Sequence, residues 1–298
     1  MKFISRNLSN IAAAMFTLVF GVTATAIFGQ PVRSDSKAHK AEHKSYQREF
    51  CSNNNWSNDD NVSVRDLRET TIPSSSEISV DGNRNGGVSV KGEDRSDVLV
   101  RACVQAWAKT EAEAKAIADG VKINTSQTIK ADNSVEEKNW SVSYEIRVPR
   151  NTNLNLTAHN GGISISDVNG AMSFETTNGS VSLIGLYGSV KGRTTNGGVN
   201  IKLTGRSWNG SGLEVTTSNG GVNLMMSKDY SANVETGTIN GGYKTEIPAL
   251  AITTEDIKGD YYRPQNKTIQ TNLNGGGAPI KVTTTNGGVR ISTFEDND

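Results

Sequence analysis

Apolar residues along this chain fall at alternate positions far more often than at helical spacing. Val62 and Val64, Ile78 and Val80, and Val88 and Val90 make short pairs of this kind, while Val98, Val100, Ala102 and Val104 make a longer run. Successive side chains of a strand point to opposite faces, so a period of two marks half-buried β-strands. The alternation resumes from Val121 to Ile129 and again through Trp140, Val142, Tyr144, Ile146 and Val148, until Pro149 stops it. One stretch breaks the pattern. Thr110-Glu111-Ala112-Glu113 has the form of a capping box, in which the Thr110 hydroxyl accepts from the Glu113 amide and the Glu113 carboxylate reaches back to the Thr110 amide. Alanine-rich sequence follows to Ala118, and Gly120 is expected to close the helix in the left-handed conformation. These signals predict a mixed β module over residues 51–150 with a single helix at about 110–119.

From residue 151 to 298 the chain repeats itself. A turn of Asn-Gly-(Gly or Ser) followed by Val or Ile begins at Asn160, Asn178, Asn196, Asn219 and Asn286, with a Tyr243 variant at Asn240. Asn274-Gly275-Gly276-Gly277 precedes Ile280, and an early copy opens at Asn85. The first turns are 18 and 18 residues apart, the next 23 and 21. Threonines precede the turns, as in Thr176-Thr177-Asn178 and Thr194-Thr195-Asn196; alternation follows them, as in Val181 with Leu183 and Val199 with Ile201. Asn-Gly tolerates positive φ at both positions, so each copy reads as strand, corner, strand. A repeat this short cannot bury its apolar strip alone. Stacking copies about 4.8 Å apart would put Val181 beside Val199 and Leu183 beside Ile201, with the corner asparagines forming a side-chain ladder. Seven such copies would stack to roughly 30–35 Å. Asn-Gly is also the strongest hairpin signal, so an antiparallel meander is the competing arrangement. Arg206–Gly212, carrying Trp208, and Pro248–Asn272 read as loop insertions between copies.

The repeated Asn-Gly-Gly-Val turns, the alanine-rich helix after the Cys103 strand, and Leu273-Asn274-Gly275-Gly276-Gly277 before the last copy resemble a bacterial putative-adhesin family of unknown function, the DUF4097 type. The resemblance spans roughly residues 60–294. It implies a mainly β chain forming a right-handed β-solenoid or β-helix, exported to the cell envelope, and it supplies no catalytic residues. Autotransporter adhesins differ in carrying a C-terminal membrane barrel, for which this sequence has no counterpart after its last copy.

Composition narrows the function classes. Lys plus Arg and Asp plus Glu both number 31, so there is no basic excess to hold nucleic acid. Lys2 and Arg6, the apolar run from Ile11 to Phe20 and the small residues Ala24 and Ala26 predict a cleaved export signal over residues 1–30. The mature chain would then have no transmembrane segment, and residues 31–50 read as a polar linker. Export to an oxidising compartment makes a Cys51–Cys103 disulfide the expected pairing, against two separate buried thiols.

Residues suited to chemistry are few. His39 and His43 lie among lysines and make a poor metal site, and His159 has no nucleophile motif near it. Glu255, Asp256, Asp260 and Arg263 form the densest acid–base group, which reads as a solvated loop. Trp208, Tyr230, Tyr243, Tyr261 and Tyr262 fall in or beside the insertions, where rings can stack on sugars or a protein partner, or pack against the repeats. The reading is therefore a non-enzymatic exported envelope protein without cofactor, adhesin-like or scaffolding, facing an unknown protein or glycan. The alternatives are a polysaccharide-lyase-like enzyme using the Glu255–Arg263 loop and a periplasmic partner in envelope-stress signalling.

Overall fold

The computed structural model describes residues 50–52, 61–133, 139–252 and 267–295, which all belong to one compact unit. The expected leader and linker, His39 and His43, and the loop with Glu255, Asp256, Asp260, Tyr261, Tyr262 and Arg263 lie outside the described residues. The described chain is mainly β, with one α-helix and two ten-stranded sheets, A and B, neither closed into a barrel.

Each copy of the repeat places one strand in each sheet. The first is β2 (Glu77–Asp81) with β3 (Val88–Glu93), followed by β8 (Asn153–Ala158) with β9 (Ile163–Ser166) and β10 (Asn169–Thr176) with β11 (Val181–Ile184). Then come β12 (Tyr187–Asn196) with β13 (Val199–Lys202), β14 (Gly212–Asn219) with β15 (Val222–Met226), and β16 (Ala232–Asn240) with β17 (Tyr243–Thr245). The last is β19 (Pro279–Asn286) with β20 (Val289–Thr293). The first strand of every copy joins sheet B and the second joins sheet A, so the Asn-Gly corner carries the chain between sheets.

Neighbouring copies pair in parallel and in register on both sheets. Val181 stands opposite Ile163 and Val199, Leu183 opposite Ile165 and Ile201, and Met172 opposite Leu154 and Val190. A meander needs antiparallel neighbours, so the repeats are not hairpins. The inward residues form one core: Val181, Val199, Ile165 and Leu224 are all at most 1% exposed. Each such side chain stabilises the fold by about 1.5–3 kcal/mol through burial alone.

The order of copies differs from the order in sequence. Sheet A runs β9, β11, β13, β15, β20, β17, so the copy at Asn286 slots between those at Asn219 and Asn240. The connection explains this. β18 (Lys267–Leu273) returns antiparallel along β16, and the chain then crosses the start of β16 to enter the vacant position beside β14. Asn274-Gly275-Gly276-Gly277 makes that crossing at positive φ throughout, so it is not a corner of the stack, contrary to expectation.

The residues before 150 are continuous with the repeats. β1 (Val62–Pro73), β4 (Asp97–Ala108) and β7 (Trp140–Pro149) extend sheet A antiparallel to one another, and β7 then pairs parallel with β3. β5 (Val121–Asn124) and β6 (Thr128–Asn133) extend sheet B. The helix α1 (Glu111–Gly120) carries both bonds of its capping box, 3.3 Å and 3.2 Å long, and buries Ala114, Ile117 and Ala118. Gly120 does not take the left-handed conformation; the chain passes straight into β5. The helix lacks a basic residue in its last turn, and Arg68 of β1 donates instead to the Ala118 carbonyl (2.8 Å) and to Val121.

At the other end, β18 covers β16. Past the last strand, Phe294 turns back, with its ring 4.3 Å from the Lys202 ammonium and its N–H donating to the Met226 carbonyl.

Candidate functional site

The Asn-Gly corners form the most regular feature of the molecule. Asn160 donates its amide to the Asn85 side-chain oxygen, Asn178 to Asn160, Asn196 to Asn178, Asn219 to Asn196, Asn286 to Asn219 and Asn240 to Asn286, all at 2.8–2.9 Å. Every bond points the same way along the stack. Behind the ladder, the inward hydroxyls of Thr176, Thr194, Thr217, Thr284 and Thr238 each donate at 2.8 Å to a glycine carbonyl of the neighbouring corner. These threonines are buried, and the bond removes the cost of an unpaired hydroxyl.

Positive φ does not explain the corner glycines. None of the asparagines in the ladder has it, nor does Gly161, Gly179, Gly197 or Gly220. Left-handed residues occur instead at the opposite edge, as at Asp167 (φ 58°) and Gly185 (φ 61°), where the chain returns from sheet A to sheet B, and at Asn83 (φ 55°), two residues ahead of the first corner. What the first corner glycine provides is close approach. A methyl on Gly179 would overlap the Gly161 carbonyl, and the Gly162 nitrogen would be 2.8 Å from the added carbon. The second glycine has more room, with 3.5 Å at Gly198, and Ser180 occupies the equivalent place in its own copy.

Cys51 and Cys103 are joined in a disulfide. It pins the described residues Phe50–Ser52 onto sheet A, where the Arg101 guanidinium lies 5.3 Å from the centre of the Phe50 ring. Arg101 pairs with Glu69 (2.5 Å) and Glu145 (2.7 Å), and these hydrogen bonds raise its pKa.

Of the aromatic residues read either as ligand contacts or as packing against the repeats, the three described ones pack. Trp208 is 6% exposed and donates its indole N–H to the Gly188 carbonyl at 2.9 Å. Tyr230 is 1% exposed, and burial pushes its hydroxyl pKa up. Tyr243 is half-buried against the core, donating to the Leu250 carbonyl at 3.0 Å. Trp208 and Tyr230 therefore complete the core where the insertion folds down, and neither offers a ring to a partner.

His159 is an exposed residue at the end of β8 whose carbonyl accepts from Asn178. Among the described residues no three His, Cys, Asp or Glu side chains gather as a metal site, and no helix is long and apolar enough to cross a membrane. The acids of the repeats, which look scattered in sequence, are ordered by register. Glu175 pairs with Arg193 (2.7 Å), Glu214 with Lys191 (3.3 Å) and Glu235 with Lys281 (2.9 Å), each across one strand spacing on the outer face of sheet B. A signal for this was present: Arg193 follows Glu175 by 18 residues, the copy spacing itself. The Glu235 pair raises the Lys281 pKa, and the Glu175 bond does the same for Arg193.

No family model matches this chain, and no curated protein does. Solved structures with a likeness to it include a putative cell adhesion protein from Clostridium sporogenes (8% identity, TM-score 0.36), covering 77% of this chain and 100% of that one. Another is a putative adhesin from Bacteroides fragilis (10% identity, TM-score 0.27, 77% and 97% covered). A third is a putative lipid binding protein from Parabacteroides distasonis (9% identity, TM-score 0.25, 78% and 97% covered).

Proposed function

We propose that this chain is an exported, non-catalytic envelope protein that acts through the outer faces of a right-handed β-solenoid, as an adhesin-like or scaffolding module of the DUF4097 type. The observation that carries this reading is the pairing of charges on sheet B. Glu175, Glu214 and Glu235 are each engaged by a basic residue of the next strand, which makes an ordered, charge-compensated surface rather than a free acid–base pair. The parallel registers from β8 to β15 support a coil wound through both sheets, and parallel crossovers are right-handed in about 98% of cases. The Cys51–Cys103 disulfide supports passage through an oxidising compartment after removal of residues 1–30.

The test is expression of the full chain with a C-terminal tag, followed by fractionation and protease treatment of intact cells. The reading expects a processed chain with an oxidised Cys51–Cys103 pair in the envelope or medium. An unprocessed, reduced cytoplasmic chain would overturn it, as would turnover of a polysaccharide by the purified protein.

A further inference from the structure

The outer face of sheet B carries a groove of about 360 Å³ that runs across strands β8, β10, β12 and β14. Register explains its shape. One wall is the row Asn155, Ser173, Lys191 and Glu214, which stand opposite one another on successive strands. The other wall is the row Thr157, Glu175, Arg193 and Thr216, two residues further along each strand. Between them the residues in line, including Phe174 and Gly192, turn their side chains inward or have none, so only backbone faces out.

The wall contacts keep the groove open. Ser173 donates to the Asn155 oxygen (3.1 Å), Lys191 pairs with Glu214 (3.3 Å), and Arg193 pairs with Glu175 (2.7 Å). All three run along a wall. None crosses the floor, although lysine and arginine are long enough to do so. Lining charge is balanced, with two cations against two carboxylates, so the groove does not select a polyanion or a polycation. Its polar groups are hydroxyls, an amide and paired charges, which donate and accept at intervals of about 4.8 Å. The carbon stems of Lys191 and Arg193 and the threonine methyls supply apolar contact beside them.

We propose that this groove binds an uncharged linear polysaccharide lying along the stack, one sugar per strand. An extended glycan repeats at about the strand spacing, presents hydroxyls on both edges of each ring and offers C–H faces to apolar stems. A peptide strand is a poorer fit, because its amides need a free sheet edge and β8, β10, β12 and β14 are paired on both sides. This deepens the surface-module reading by naming the ligand class, and it rests on that reading for access to an envelope glycan. The ion pairs here position hydroxyl partners and have no part in bond cleavage.

The probes are cellohexaose and chitohexaose, with heparin as the charged control, titrated calorimetrically into the purified oxidised protein. Wild type is expected to bind one neutral hexasaccharide with an affinity that holds when salt is raised, since no counterions are released. Ser173→Ile and Thr216→Ile, outward substitutions that narrow the groove and remove a hydroxyl without adding a ring that could stack on a sugar, are expected to weaken binding at least about tenfold at an unchanged melting temperature. Ser182→Ile on the outer face of sheet A is expected to bind as wild type does. The proposal is overturned if neither neutral glycan binds, if the groove-narrowing variants bind as well as wild type, or if only heparin binds and salt abolishes it. None of these outcomes depends on where the cell places the protein, so fractionation and titration fail independently.

Discussion

Replacing Gly179 by alanine isolates what the first corner glycine does. The added carbon would lie inside van der Waals contact of the Gly161 carbonyl and 2.8 Å from the Gly162 nitrogen, both backbone atoms of the neighbouring copy. Neither can rotate away, so the two copies must part or the corner must deform. That overpacking costs about 1–3 kcal/mol. The Gly161 carbonyl also accepts the buried Thr176 hydroxyl at 2.8 Å, and displacing it adds roughly 1 kcal/mol. The total expected for Gly179→Ala is about 2–4 kcal/mol. Gly198→Ala is the control. There the nearest atom is 3.5 Å away and φ is outside the left-handed region, so the expected effect runs from neutral to about 1 kcal/mol of stabilisation. Urea unfolding of both variants decides, read as a shift of midpoint at constant slope. If positive φ were the reason for the corner, both substitutions would cost alike. Equal effects, or a larger loss for Gly198→Ala, would refute the close-approach argument.

Other expectations follow from the same geometry. Cys51→Ser should lower stability by about 2–4 kcal/mol and abolish the effect of reductant on the melting temperature, because the disulfide closes a separation of 52 residues. Phe174 fills the space that Gly192 leaves, since a methyl there would overlap its ring. Phe174→Ala should therefore cost about 3–5 kcal/mol, and Gly192→Ala should cost less in the Phe174→Ala background than in wild type. The Glu246 carboxylate accepts from the Thr293 N–H at 3.0 Å, which together with Arg290 lowers its pKa. A lowered folded pKa gives stability that is present above the ordinary value of 4.5 and lost as pH falls through the folded pKa. Glu246→Gln should thus lower the melting temperature at neutral pH, and the difference from wild type should shrink in acid.

Much of the fold was legible because its information is local and periodic. Alternating Val181 and Leu183, the 18-residue spacing and the Thr110–Glu113 capping box each depend on neighbours in sequence, and the structure places all three as read. The asparagine ladder followed from spacing for Asn160, Asn178 and Asn196. Spacing could not show the insertion of the Asn286 copy before that of Asn240, which depends on the path of β18 across β16. Asn274 shares its Asn-Gly-Gly letters with the corners but spends its amide on the Lys228 and Tyr230 carbonyls. The choice between ligand stacking and packing stayed open for Trp208 for a related reason: its polar atom is satisfied by the Gly188 carbonyl, a partner visible only once the insertion folds down. The groove on sheet B was hidden because a row across strands has no contiguous trace in the sequence.

The central claim is that copies stack in parallel, in the order of sheet A, and distances between spin labels test it directly. Ser164, Ser182, Asn200, Asn223, Arg290 and Lys244 face one another on successive strands. Nitroxides at positions 164 and 290 should be about 19 Å apart and those at 164 and 244 about 24 Å, four and five strand spacings. A label at 244 found nearer to 164 than the label at 290 would contradict the stacking order.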